Sequence, residues 1–423
     1  MEEYKLHKNI LCIDLKSFYA SVECAFRNLD PFETPLVVAD RSRGDAAICL
    51  ATTPYLRNLG VKNRGRIFEI PENLREKVIY ARPQMKLYME YTLKIIEIYL
   101  EFISEEDLYV YSIDEAFLDV TNYLSYYKMT DIELAKKIVD RIHNDLGLYA
   151  SCGVGPNMLM SKLALDIDSK KEKDSIAKWT YDDIESKLWP VTPISKMWGI
   201  GRQMEKNLNK LGLITIGDIA NYNINLLKSR FGVIGEELWY HTHGIDMSIL
   251  QEKDMLRNKN KSIGNTQVLF HDYYSPEIYT IILEMADEIT RRLRLSKKKC
   301  KVMHFGMRYS KDFGSFHKQV SFDQPTSNFK DIYHACIKVF DNLYDGTSPI
   351  KGVSISLSSL VVTSIYQFDM FEDFEEIEKE RKLLESLDKV KLRYGKNAIN
   401  RASSLSEAST IIERNKLIGG HHE

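Results

Sequence analysis

Tyr109-Val110-Tyr111-Ser112-Ile113-Asp114-Glu115-Ala116-Phe117-Leu118-Asp119-Val120 places two adjacent carboxylates between two runs of apolar and aromatic residues. The pattern predicts a hairpin of two strands, Leu108 to Ile113 and Ala116 to Val120, with Asp114 and Glu115 at its tip. An isolated Asp-Glu pair is ordinarily a polar turn, because Asp bonds readily to nearby backbone there. These flanks read instead as strands of a buried sheet, and a buried carboxylate needs a partner. A second apolar run, Asn9-Ile10-Leu11-Cys12-Ile13-Asp14, also ends in an acid. Three carboxylates brought together at strand ends repel and raise one another's pKa unless a cation sits among them.

Outward from these strands the periodicity alternates. Phe18 to Glu23 has helical spacing, Leu36 to Ala39 and Ala46 to Ala51 read as short strands around the polar turn Asp40 to Asp45, and Tyr88 to Phe102 reads as a long amphipathic helix. A helix over Asp131 to Leu146, a strand over Tyr149 to Val154 and a helix opening near Asn157 follow. Helices alternating with strands that converge on one site predict an α+β catalytic layer, with Leu36 to Tyr80 as an insertion. Trp179 to Gly244 reads as short helices with glycine-rich turns, and Asp246 to Asn260, polar and without periodicity, as an interdomain linker. Strands return from Ser262 to Ile365 with two long helices, Pro276 to Leu295 and Asn328 to Tyr344; beyond Tyr366 the chain reads as helical and strongly charged.

A chain of 423 residues exceeds one ordinary core, so roughly two to four domains are expected. With 44% hydrophobic and 28% charged residues it has the composition of a soluble globular protein, and no apolar run reaches bilayer-spanning length. The opening Met-Glu-Glu-Tyr-Lys-Leu-His-Lys lacks the order of a signal peptide, so a cytoplasmic location without membrane association is expected. The cysteines are scattered without a Cys-x-x-Cys pair, which gives no zinc site and no disulfide framework. A net charge of −2 hides a basic stretch (Arg291, Arg292, Arg294, Lys297, Lys298, Lys299, Lys301) and an acidic one (Glu372 to Glu380).

Hard carboxylate oxygens suit Mg²⁺, which is held by a few carboxylates together with substrate phosphates. Two such ions about 3.5–4 Å apart activate an attacking hydroxyl and neutralise a leaving pyrophosphate, the arrangement of polymerases and nucleases.

Ile13-Asp14-Leu15-Lys16-Ser17-Phe18-Tyr19-Ala20-Ser21-Val22-Glu23, taken with Tyr111-Ser112-Ile113-Asp114-Glu115-Ala116, resembles the Y-family translesion DNA polymerases of the DinB and UmuC group. Nearly the whole chain is covered, and the UmuC-like and UvrX-like proteins of Gram-positive bacteria are the most similar members. The resemblance implies an α+β multidomain, right-hand polymerase: palm (1–24 and 81–175), fingers (25–80), a helical thumb with a helix-hairpin-helix (176–244), a linker (245–261), an α/β little finger (262–365), and a clamp-binding motif with a charged helical tail (366–423). It implies Asp14, Asp114 and Glu115 as ligands of two Mg²⁺ ions, with the Leu15 carbonyl as a backbone ligand. Tyr19 becomes the steric gate against a 2′-hydroxyl, next to Phe18, and Arg57 and Lys162 the triphosphate cations. Two departures are visible: Pro54 stands where many relatives carry tyrosine, displacing Tyr55 as a phosphate contact, and Met158 replaces a lysine after Asn157.

Trp198-Gly199-Ile200-Gly201-Arg202 reads as the turn of a helix-hairpin-helix, where Gly199 and Gly201 let backbone approach a DNA phosphate. Lys261, Arg291 and Lys298 are candidate contacts to the DNA backbone, which position a duplex without reading its sequence. Gln367-Phe368-Asp369-Met370-Phe371 is similar to the peptide that docks on the bacterial sliding clamp, Gln367, Phe368, Met370 and Phe371 being its anchors. The expected partners are therefore primer-template DNA, a dNTP and the clamp (the replicase β subunit), acting on a monomer. Two rivals remain at this stage: a catalytically silent DNA- and clamp-binding regulator on a polymerase scaffold, and a metal nuclease, which has no use for a steric gate.

Overall fold

β1 (Ile10–Leu15) is apolar at every position except Asp14, and it lies at the centre of a five-stranded sheet. β6 (Glu115–Asp119) and β7 (Ala150–Gly155) flank it, both antiparallel; β5 (Leu108–Val110) pairs with β6 at one edge and β8 (Ile176–Lys178) runs parallel to β7 at the other. The computed structural model describes residues 1–169, 175–252, 261–310, 314–362 and 374–422. The chain divides into two compact units, Met1–Asn258 with His421–Glu423, and Lys259–Gly420. Among the described residues no helix is long and apolar enough to cross a membrane.

In the first unit the helix Asp131–Leu146 starts where Thr130 and Glu133 cap each other and stops at Gly147, whose φ of 66° a side chain would resist. The helix Met85–Leu100 begins earlier in the chain than the apolar spacing from Tyr88 implies, and Thr92 on it donates to the Ile113 carbonyl at 2.7 Å, fixing the hairpin turn. A small second sheet, in the order β3 (Ala51–Thr52), β2 (Leu36–Val38), β4 (Ile79–Ala81), encloses Val37, Leu56, Ile67 and Ile70. The strand expected over Ala46 to Ala51 is mostly absent: Asp40 accepts from the Ser42 amide to close a turn over Arg41–Arg43, and Ile48 makes only an isolated bridge to Arg66. Short helices, Arg202–Asn209, Ile216–Ala220, Ile224–Phe231 and Val233–Thr242, follow, several of them packing around buried Trp179, Leu188, Ile194 and Leu208.

The second unit is an antiparallel sheet ordered β11 (Ser315–Thr326), β10 (Lys299–Tyr309), β12 (Ile350–Val361), β9 (Ser262–Tyr273). Alternate residues Met303, Phe305 and Met307, with Val353, Ile355 and Leu357, turn inward onto the helices Ile278–Leu295 and Phe329–Leu343. The tail joins this core. Asp388, on the helix Phe374–Tyr394, holds Arg294 through two bonds of 2.9 and 3.0 Å, Lys391 and Arg401 both reach Asp287 at 3.2 Å, and Lys396 reaches Glu288 at 3.3 Å. Buried Glu284 accepts from the Ser409 hydroxyl and the Thr410 amide. The helix Ile278–Leu295 thus presents an acidic edge, Glu284, Asp287 and Glu288, on which the tail docks.

Candidate active site

The β1–β6 register sets Asp14 directly opposite Glu115, a Cα separation of roughly 4.5–5.5 Å in such a ladder. The Leu15 amide donates to the Asp114 carbonyl at 3.0 Å, so Asp114 is tied to the strand that carries Asp14. The Tyr111 and Ser112 amides both donate to the Glu115 carbonyl, which closes the hairpin and ends β5 at Val110 rather than at Ile113. Two acids in opposition are unfavourable by themselves.

A strand period of two puts Cys12 and Asp14 on one face of β1, with Glu115 and Phe117 beside them on β6 and Ser151 and Gly153 on β7. The helix Met158–Leu163 lies against that face, and the glycines of β7 permit it: a Cβ at Gly153 would stand 2.0 Å from the Ser161 carbonyl oxygen. Asn157 caps this helix by accepting from the Met160 amide at 2.8 Å, and Asp246 accepts from the Leu159 amide at 3.1 Å. So placed, Lys162 brings Nζ to 2.8 Å from Glu115 Oε1 and 3.2 Å from Asp166 Oδ2. Burial acts to lower the Lys162 pKa, but the Glu115 bond and the surrounding negative charge outweigh it and hold the ammonium above the ordinary lysine range. Cys12 donates to the same Glu115 oxygen at 3.2 Å; burial, then the Glu115 charge, push its thiol well above the usual value. Asp114 accepts from the Ser112 hydroxyl at 2.6 Å.

The three carboxylates are adjacent in the backbone, and the side chains of Asp114 and Glu115 are held by Ser112 and by Lys162 with Cys12. Among the described residues no three His, Cys, Asp or Glu side chains form a ready-made metal cage. The donor set nevertheless has the chemistry for a hard divalent cation, carboxylate oxygens at converging strand ends with a lysine already offsetting one of them.

Tyr19 stands on the helix Phe18–Phe26, which leaves β1 through Ser17 in the left-handed conformation and has no side-chain cap. Its half-buried ring stacks on that of Tyr88 with centroids 4.5 Å apart, and Tyr88 is fixed in turn by a 2.6 Å bond to buried Glu23. Burial first, then the Asp114 charge, raise the Tyr19 phenol above its ordinary pKa, with Arg64 opposing. That records Tyr19 and Asp114 in one electrostatic neighbourhood. Phe18 is buried beside it, centroid 5.7 Å from the Tyr19 ring. Arg57 is exposed and reaches the Ser17 hydroxyl at 3.4 Å, whereas Tyr55 packs partly into the small-sheet core. Arg64 was not singled out from sequence; the basic run Lys62-Asn63-Arg64-Gly65-Arg66 was its only signal.

Gly199 (φ 93°) and Gly201 are exposed, and Gly201 opens the helix Arg202–Asn209 without a side-chain cap. A first helix before that turn is reduced to the single turn Ile194–Lys196. In the second unit Lys261 is exposed and Lys298 half-buried. Arg291 contradicts its reading as a DNA contact: it is only 6% exposed and its guanidinium pairs with Glu288 at 2.9 and 3.1 Å. Arg294 is likewise committed to Asp388, so part of the basic stretch neutralises acids of its own domain. Sequence reading also missed a groove on the four-stranded sheet, lined by Gly264, Thr266, His304, Phe305, His317 and Ile355 among others. Gln367, Phe368, Met370 and Phe371 lie outside the described residues.

The fold and the converging acids define the class, and comparison with known proteins agrees. Residues 13–166 match the impB/mucB/samB family, 260–370 the C-terminal domain of that family, and 181–213 the IMS family HHH motif. The chain belongs to the impB/mucB/samB family, the Y-family DNA polymerases of the DinB and UmuC group. It is 41% identical over 418 residues to UvrX of Bacillus subtilis, a protein named for UV-damage repair, covering 98% of this chain and 97% of the relative. It is 34% identical over 421 residues to DNA polymerase IV 2 of the same organism, covering 98% and 99%. Among solved structures it shares its fold with the Y-family DNA polymerase chimera Dbh-Dpo4-Dbh: TM-score 0.65, 20% identity, 84% of this chain and 100% of that one.

Proposed function

We propose that this chain is a DNA-directed DNA polymerase that carries out error-prone translesion synthesis in an SOS-type damage response, working as a cytoplasmic monomer. The observation that carries the reading is the strand register setting Asp14 opposite Glu115, with Asp114 tied to Leu15 and Lys162 delivered onto Glu115. Residues 1–24 and 81–175 act as palm, 25–80 as fingers, 176–244 as thumb and 262–365 as little finger.

Asp14, Asp114, Glu115 and the Leu15 carbonyl would hold two Mg²⁺ ions, which when bound would supply activation of the primer 3′-hydroxyl and neutralisation of the pyrophosphate. The remaining work falls to the chain's own residues. Lys162 and Arg57 offset charge on the triphosphate, and the uncapped amides that open the helix Phe18–Phe26 donate to its oxygens. Tyr19, braced by Tyr88, occupies the place a ribose 2′-hydroxyl needs. Gly199, Gly201, Lys261 and Lys298 hold the DNA backbone without reading sequence.

Tyr19→Ala should admit ribonucleotides, lowering the preference for dNTP over rNTP by roughly 10- to 200-fold, the scale set by one excluded group. Paired primer extensions with each nucleotide check it; unchanged preference removes Tyr19 from the gate. Gln367 to Phe371 forms the clamp-docking peptide in this reading. Phe371→Ala should then abolish capture of the chain on immobilised sliding clamp while leaving clamp-free primer extension intact.

A further inference from the structure

We propose that Cys12 is a positioning residue for Glu115, its thiol fixing one carboxylate oxygen so that the acid keeps its orientation toward the bound cation. The inference rests on the polymerase reading above and deepens it. Cys12 faces Phe117 across the β1–β6 ladder, so Glu115, one period away on the same face, is its diagonal neighbour. Its thiol lies 3.2 Å from Glu115 Oε1, the oxygen that Lys162 also contacts at 2.8 Å.

The two partners of that oxygen differ in what they can do. Lys162 ends a long side chain that also contacts Asp166, and in the proposed reaction it turns toward the triphosphate. Cys12 has 0% exposure and sits in an apolar cluster with Ile10, Phe117, Met158 and Leu165, which leaves a short side chain no room to swing away. The cysteine bond therefore persists when the lysine bond is exchanged for phosphate. A thiol suits this place because it packs as a small hydrophobe and still donates weakly.

Three variants separate the role from mere packing. Cys12→Val fills the site without a donor, Cys12→Ala empties it, and Cys12→Ser keeps a donor. Thermal melts in EDTA establish that each variant is folded. Mn²⁺ binding to DNA-free protein is then read by electron paramagnetic resonance, and the Mg²⁺ midpoint by primer extension. Val and Ala should weaken Mn²⁺ binding and raise the Mg²⁺ midpoint by roughly 10-fold, the usual cost of losing a partner behind a metal ligand. The rate at saturating Mg²⁺ should change less, and Ser should restore most of the affinity. Wild-type Mn²⁺ affinity in the Val variant, or a folded Ser variant as weak as Val, overturns the proposal. A wild-type chain that binds Mn²⁺ but extends no primer refutes the polymerase reading instead, and the Mn²⁺ comparison still decides the role of Cys12.

Discussion

Asp114→Ala should slow single-turnover primer extension by roughly 10³-fold, the rate equivalent of losing several kcal/mol of charge stabilisation at the transferred phosphoryl group. The size follows from where Asp114 stands. Its backbone is fixed by the Leu15 amide, and its carboxylate is steadied by the Ser112 hydroxyl at the hairpin turn, within reach of Asp14 and Glu115. Nothing in the core depends on it: the side chain is partly exposed, and the apolar strands on either side carry the packing. The variant should therefore melt like the wild type while losing synthesis. An equal fall in DNA affinity would point to a binding defect, and full activity would remove Asp114 from the catalytic set.

Asp388→Ala should destabilise the C-terminal unit by about 3 kcal/mol, because it strands a little-exposed guanidinium without its counter-charge. Arg294 and Asp388 are only 14% and 9% exposed, and among the described residues Arg294 Nη1 has no hydrogen-bond partner. Replacing both residues by apolar side chains, Arg294→Met with Asp388→Leu, should recover most of the loss, since the pair is expensive to desolvate. Tryptophan fluorescence will not see this, as Trp179, Trp189, Trp198 and Trp239 all belong to the first unit. Amide hydrogen exchange along Ile278–Leu295 in the full-length chain reports it directly. Unchanged exchange in the single variant would mean that the tail is only an exposed appendage.

These two sites also show what could be read from sequence and what could not. Asp14, Asp114 and Glu115 were legible as strand-end acids because strand period and the flanking apolar runs fix which strand ends carry them, whereas Tyr19, an aromatic on the helix Phe18–Phe26, was singled out only by the family resemblance. The tail is helical and charged as its sequence implies, but its docking was not legible, because it comes from partners far along the chain, Arg294 with Asp388 and Asp287 with Lys391 and Arg401. A run of Arg and Lys says nothing about which of them is already paired, so Arg291 passed for a DNA contact. The Lys162–Glu115 and Cys12–Glu115 bonds were hidden for the same reason. Both depend on β6, β1 and the helix after β7 meeting on one face, a tertiary fact that follows from register and from Gly153. The strand over Ala46 to Ala51 is a local difference: pairing with β2 begins only at Ala51–Thr52, and Ile48 finds an isolated bridge to Arg66 instead.

The central claim is that the converging acids perform nucleotidyl transfer. Primer extension by the intact chain, on an undamaged and a lesion-bearing template with Mg²⁺ or with EDTA, tests it most directly. The account predicts stepwise dNTP addition on both templates in Mg²⁺ and none in EDTA. A chain that binds the primer-template but adds no nucleotide with Mg²⁺ or Mn²⁺ would contradict it and leave the silent DNA-binding scaffold in its place.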